Sequence, residues 1–178
     1  TLSGAATIPA ADSRKKVMAQ LSGRRIVQMV KDDLTIDKVL TREAFENAIM
    51  VNAAVGGSSN FIIHLLAIAG RIGVELKLED FDKIGSKIPL LVNLKPSGKY
   101  LMEDFFYAGG LPALMGRVRG HLSLDEMTVR GRTLGENIAL AEVYNDDIIR
   151  PLNNPIYHEG ALAVLKGNLA LNGAVIKP

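Results

Sequence analysis

From Ala11 onward the apolar residues Val17, Met18, Leu21, Ile26, Val27 and Val30 recur at close to helical spacing, with Arg14, Lys15, Arg24 and Arg25 available for the wet face. The pattern predicts a helix over 11–31, begun by Asp12 after Pro9, where the helix dipole favours a carboxylate. Gly23 weakens its middle by up to about 1 kcal/mol relative to alanine. Thr35 and Thr41 each suit the cap of a following helix, and the segment after Thr41 puts Phe45, Ile49 and Met50 on one side of a helix that ends before Gly56. After Gly56-Gly57-Ser58-Ser59-Asn60, the run Phe61 to Ala69 is apolar nearly all round, which predicts a helix buried on most sides. Gly70 and Gly73 bracket its end, and Leu76, Leu78, Phe81 and Ile84 predict a short helix starting near Leu78.

Ile88 to Leu94 is a short continuous apolar run with Pro89 near its entry, as expected of an interior strand in a sheet covered on both faces. Helix, buried strand and helix in succession argue for an α/β fold. Lys95-Pro96-Ser97-Gly98 is turn chemistry, Tyr100 to Tyr107 reads as a helix ended by Gly109-Gly110, and Pro112 suits the first turn of another helix through about Val118. Past Gly120 the pattern changes. Met127-Thr128-Val129 and Arg132-Thr133-Leu134 flank Arg130-Gly131 as the arms of a hairpin; Leu162 to Leu165 and Ala174 to Ile176 are strand-like, and Asn172-Gly173 is a hairpin-turn signal. The last fifty or so residues are therefore expected to be β-rich, with a boundary near Gly120 to Asp125. That gives two parts, residues 1–122 and residues 123–178. No internal repeat or low-complexity tract interrupts them.

Composition narrows the function classes. The chain is 48% hydrophobic, enough for a real core, and its +2 charge is the small difference between 21 basic and 19 acidic residues spread without long runs of one sign. With aromatics at 5% and no Trp, neither an electrostatic footprint nor a stacking platform for nucleic acid is present. The chain has no Cys, so it makes no disulfide and no cysteine-ligated zinc or iron–sulfur site from these residues. No apolar stretch reaches the roughly 18 residues of a membrane span, and no basic-then-apolar leader opens the chain, so no membrane association and a cytoplasmic location are expected. Thr1 to Pro9 carries no initiator Met and reads like the middle of a protein.

The Gly56 to Asn60 loop is the candidate site. Glycines let backbone approach a ligand, and the first N–H groups of the next helix favour a carboxylate or phosphate. The plainer reading, a cap from Ser58, Ser59 or Asn60 with glycines in a tight turn, is the one the pattern alone favours. The loop is neither a Walker A sequence nor a dinucleotide fingerprint. His64, one turn beyond Asn60, faces either the same pocket or, on pattern alone, the core. His121 and His158 have no metal-ligand spacing with it. The paired acids Asp32-Asp33, Glu79-Asp80, Glu103-Asp104 and Asp146-Asp147 read as helix-start charges and solvated groups, because neighbouring helical residues point apart.

Glu46-Asn47-Ala48-Ile49, then Gly56 to Asn60 with His64-Leu65-Leu66-Ala67-Ile68-Ala69, resembles the dihydroxy-acid and sugar-acid dehydratases that include 6-phosphogluconate dehydratase. Ser3-Gly4-Ala5-Ala6 with Ile8-Pro9-Ala10, Met102-Glu103-Asp104 with Ala108-Gly109-Gly110, and Leu165 to Ala170 with Gly173 to Lys177 follow in the same order, so the resemblance runs from end to end. Pro96 to Asp104 and Tyr144 to Asp147 through Ile149-Arg150-Pro151-Leu152 look more like the pentonate dehydratases, for arabinonate or xylonate, than the branched-chain biosynthetic enzyme.

The resemblance implies the back half of an α/β domain with a buried sheet, followed by the β-rich opening of a swivelling β-barrel domain. It implies a parent hydro-lyase that turns a 2,3-dihydroxy sugar acid into a 2-keto-3-deoxy acid, using an iron–sulfur cluster and magnesium, and acting as a homo-oligomer. The family's cluster cysteines, most magnesium ligands and serine base have no counterpart here. No catalytic or metal residue is therefore expected in this chain, no cofactor is expected on it alone, and the chain alone is expected to be inactive. The substrate-binding candidates are Gly57, Ser58, Ser59, Asn60 and His64, for a sugar acid or dihydroxy acid. The alternatives are a branched-chain dihydroxy-acid dehydratase, or a non-catalytic anion-binding or oligomerisation module.

Overall fold

Capping chemistry sets most element boundaries in the computed structural model, which describes residue 2 and residues 4–177. Thr1, Ser3 and Pro178 of the sequence reading lie outside the described residues. Asp12 accepts from the Arg14 backbone N–H at 2.8 Å and starts α1 (Ser13–Lys31). Thr41 accepts from the Ala44 N–H at 3.1 Å and starts α2 (Arg42–Val55), which closes on Gly56. α3 (Asn60–Arg71) follows the glycine loop. Asp80 and Asp104, each three residues into its segment, accept from the N–H groups of Lys77 and Leu101, both at 2.8 Å, and start α4 (Leu78–Gly85) and α5 (Met102–Tyr107). α6 (Gly110–Arg117) carries Pro112 in its first turn.

The main core lies where α2, α5 and α6 meet the buried run through Ile88, Leu91 and Val92, with Phe105, Leu114 and Ile149 fully enclosed. Each such side chain contributes roughly 2–3 kcal/mol by leaving water. The run from 88 to 94 is buried as its apolar pattern demands, but single bridges satisfy its backbone instead of a continuing ladder. Leu90 bridges Tyr157 and Val92 bridges Ile149, both antiparallel. The N–H groups of Leu91 and Val92 both point at the Ala54 carbonyl, at 2.9 and 3.3 Å, so the end of α2 takes donors that a neighbouring strand would otherwise receive. A smaller cluster of Ile49, Ile62 and Phe81 joins α2, α3 and α4.

Five expectations change. α1 docks through Met18, Ser22, Arg25 and Met29, while Val17, Leu21, Ile26, Val27 and Val30 are all exposed. Polar anchors fix this rotation: Arg25 donates to the Val129 carbonyl at 2.6 Å, and Lys15 to the carbonyls of Ala5 and Ile8. α3 is not buried on most sides. Ile62 and Ala69 are enclosed, but Ile63 is 68% and Ile68 45% exposed, because among the described residues only α2 and α4 pack closely on it.

The hairpin expected over 127–134 is a single bridge, Met127 to Thr133, around a turn in which the Gly131 N–H reaches the Thr128 carbonyl. Its second arm becomes a helix instead. Thr133 and Glu136 exchange side-chain-to-backbone bonds at 3.2 and 2.7 Å and start α7 (Leu134–Ile138). Strand structure in the last fifty residues narrows to β1 (Ala163–Gly167) and β2 (Ala170–Ile176), paired antiparallel. Their turn lies at Asn168-Leu169, since Gly167 faces Ala170. Asn172-Gly173 instead sits in a bulge between the Leu165–Ala174 and Gly167–Ala170 pairs, where Gly173 takes a φ of 93°.

Candidate functional site

The glycine loop is shaped by what lies against it. A Cβ at Gly57 would fall 1.9 Å from Asn52 Oδ1, and the Gly57 N–H donates to the Asn52 carbonyl at 3.0 Å, so the chain passes flush against the last turn of α2. Beyond it the Ser58 hydroxyl accepts from the Asn60 N–H at 3.2 Å, and the N–H groups of Phe61 and Ile62 donate to the carbonyls of Ser58 and Ser59, both at 3.1 Å. Ser58 thus closes a local turn at the entry to α3, whose N-cap residue Ser59 makes no side-chain capping bond, and the first donors of that helix are engaged within the loop. Ser58, Ser59 and Asn60 are exposed and Gly57 is half-buried. His64 is also exposed, on the face of α3 that also bares Ile63, and is not a core histidine.

A cleft of about 710 Å³ opens on the other side of the loop, at Gly56. Its floor is Val55, Leu90, Val92, Leu94 and Ile156, and its rim includes Ser97, Tyr157, His158, Glu159 and Lys177. Lys177 Nζ donates to the Gly56 carbonyl at 2.7 Å. The sequence alone does not mark these residues as a site. The segments 90–98, 156–161 and 177 meet only through the fold, and no local spacing announces that meeting.

A polar frame holds the hairpin and Lys177 in place. Arg42 donates to Glu46 at 2.8 Å, to Asp80 at 3.0 Å and to the Glu75 carbonyl at 2.6 Å, tying α2 to α4. The hydrogen bond from Arg42 holds the Asp80 carboxyl below its ordinary range, against the opposing effect of burial, and Asp80 in turn raises the pKa of Arg42 further above its ordinary value. From α4, Asp82 accepts from the Val164 N–H at 3.1 Å and Glu79 pairs with Lys166, which docks β1. The other paired acids are structural too. Asp104 caps α5 and Asp146 pairs with Arg117. Asp147 accepts from the Tyr100 hydroxyl and from Arg150, and the Tyr100 bond is the main cause of its lowered pKa.

These residues do not by themselves compose a cysteine-ligated iron–sulfur site. The sequence has no Cys, and among the described residues no group of three His, Asp or Glu is placed to hold a metal. Among the described residues no helix is long and apolar enough to cross a membrane.

Fold and surface together define an α/β chain with a glycine-rich helix entry and an apolar cleft behind it. Residues 1–137 match the Dihydroxy-acid/6-phosphogluconate dehydratase N-terminal family, and residues 147–178 match its C-terminal family. The chain belongs to the dihydroxy-acid/6-phosphogluconate dehydratase family. It is 56% identical over 99% of its length to an L-arabinonate dehydratase of Rhizobium leguminosarum bv. trifolii, covering 31% of that protein. It is 53% identical over 97% of its length to an L-arabonate dehydratase of Azospirillum brasilense, covering 30%. A dihydroxy-acid dehydratase of Ignicoccus hospitalis is 47% identical over 99% of the chain, with 32% of that protein covered. The chain thus spans about a third of the length of these relatives.

Proposed function

We propose that the parent of this chain is a hydro-lyase that dehydrates a 2,3-dihydroxy sugar acid, a pentonate such as arabinonate or xylonate, to the 2-keto-3-deoxy acid. In that reaction the C2 proton and the C3 hydroxyl leave as water, and the resulting enol ketonises. The observation that carries this reading is the 56% identity to an L-arabinonate dehydratase across nearly the whole chain. The iron–sulfur cluster and magnesium of this chemistry would be held by parts of the parent outside these 178 residues, so the chain alone is inactive. Division into residues 1–122 of the α/β domain and 123–178 of the β-barrel domain belongs to the same reading; the two family matches meet later, between 137 and 147.

In this parent, Gly57, Ser58, Ser59, Asn60 and His64 contact the substrate. The exposure of Ser58, Ser59, Asn60 and His64 on one helix entry supports that role. The second reading, a branched-chain dihydroxy acid as substrate, is favoured by the 47% identity to the Ignicoccus dihydroxy-acid dehydratase.

The test is turnover by the full-length gene product, with L-arabinonate and 2,3-dihydroxyisovalerate as competing substrates, beside the same assay on the 178-residue chain. Preference for arabinonate and a silent chain are expected. Preference for the branched acid would transfer the assignment to the second reading, and turnover by the chain alone would overturn its inactivity. Ser58→Ala with Ser59→Ala in the full-length enzyme should raise KM for the sugar acid, whereas a purely capping role would lower stability by about 1 kcal/mol and leave KM unchanged.

A further inference from the structure

The cleft beside Gly56 pairs an apolar floor with a cationic wall. Its floor is aliphatic, from Val55, Leu90, Val92, Leu94 and Ile156, and one wall carries the ammonium of Lys177. A lysine ammonium has three donors. Gly56 accepts one of them at 2.7 Å, and among the described residues no carboxylate pairs with Lys177. The volume, about 710 Å³, is in the range of small-molecule sites, which combine apolar walls with a few placed polar groups.

We propose that this cleft is a binding site for an apolar-tailed monocarboxylate, its carboxylate on Lys177 and its hydrocarbon tail over Val92 and Leu94. The remaining ammonium donors supply a charge-assisted bond, the stronger kind of hydrogen bond. A tail laid on the floor removes apolar surface from water on both sides. A polyhydroxy acid fits worse, because its hydroxyls would lose water against aliphatic carbons that return no hydrogen bond. Glu159 and His158 are exposed on the rim and stay solvated. The Glu159 carboxylate lines the same cleft and repels an anion, which leaves the Lys177 ammonium as the anion's place.

The bland alternative is that Lys177 only neutralises the carbonyl end of α2. The two are separated by titrating the 178-residue chain with hexanoate, its neutral isostere hexanamide, and L-arabinonate, followed by methyl NMR and calorimetry. Saturable hexanoate binding with shifts at the Val92 and Leu94 methyls is expected, tighter than hexanamide and than arabinonate by about tenfold, the factor for one charge-assisted bond. Lys177→Gln keeps a donor for the Gly56 carbonyl while removing the charge. It should weaken hexanoate about tenfold, leave hexanamide unchanged and keep the melting temperature. No saturable binding, equal affinity for acid and amide in the unaltered chain, or shifts at Gly57 to His64 in place of the floor would each overturn the proposal. The acid-versus-amide comparison decides the matter without the variant, and none of these outcomes bears on turnover of the parent enzyme.

Discussion

Asn47 is 6% exposed and uses both ends of its amide on Ser123, donating to the carbonyl at 2.9 Å and accepting from the N–H at 2.8 Å. It fastens the stretch after α6 to the middle of α2. Asn47→Ala leaves two partly buried backbone groups unpaired and should lower stability by about 2–4 kcal/mol in urea unfolding. A loss under about 1 kcal/mol would mean that water replaces the amide. Asp12 gives a pH signature at the same scale. Hydrogen bonds from the Arg14 side chain and backbone pull its carboxyl from 3.8 to about 2. A group depressed on folding stabilises fully above its unfolded pKa, and that contribution fades as pH falls through the folded value. Amide protection at the start of α1, taken relative to the unfolded-chain exchange rate at each pH, should therefore fall between about pH 4 and pH 2, and Asp12→Asn should flatten the profile. An unchanged profile in the variant would remove Asp12 as the cause. Asp12 was readable in advance because its partner lies two residues away. Nothing near Asn47 in the chain names Ser123, so that pair emerges only from the fold.

At the scale of elements, caps and glycine stops carry the architecture. Thr41→Ala removes the acceptor for the Ala44 N–H and the hydroxyl donated to Glu126, and should cost about 1–2 kcal/mol in thermal melting. Thr41→Ser should recover most of it. Failure of serine to rescue would place the effect in the threonine methyl. Helices α1 to α6 follow from such signals and from apolar spacing. α7 was hidden because Thr133 and Glu136, a four-residue capping pattern, lie inside what also scans as a strand arm. Asn172-Gly173 misled for a related reason: the same left-handed glycine that turns a hairpin also makes a bulge. The candidate loop was legible as a helix entry. The cleft behind it was not, because its floor comes from a run that reads only as core and its charge from a lysine more than a hundred residues away.

At the scale of the molecule, the described surface carries bare apolar side chains in several places: Val30 at 77%, Ile63 at 68%, Leu169 at 98% and Leu171 at 81% exposure. Such surface seeks cover, and β1 and β2 form only a two-stranded sheet. The chain should self-associate as concentration rises in sedimentation velocity, and Leu169→Lys with Leu171→Lys should shift the onset upward. A monodisperse monomer at high concentration would contradict this. The bridges of Val92 to Ile149 and Leu90 to Tyr157 have a different consequence, one that concerns heredity. Because the later segment roofs the buried run of the earlier one, a crossover between relatives anywhere from 95 to 156 would bring together a floor and a roof that were never selected together. Recombination is better tolerated where it falls outside that interval, so the stretch from the buried run to Tyr157 is best inherited as a single block.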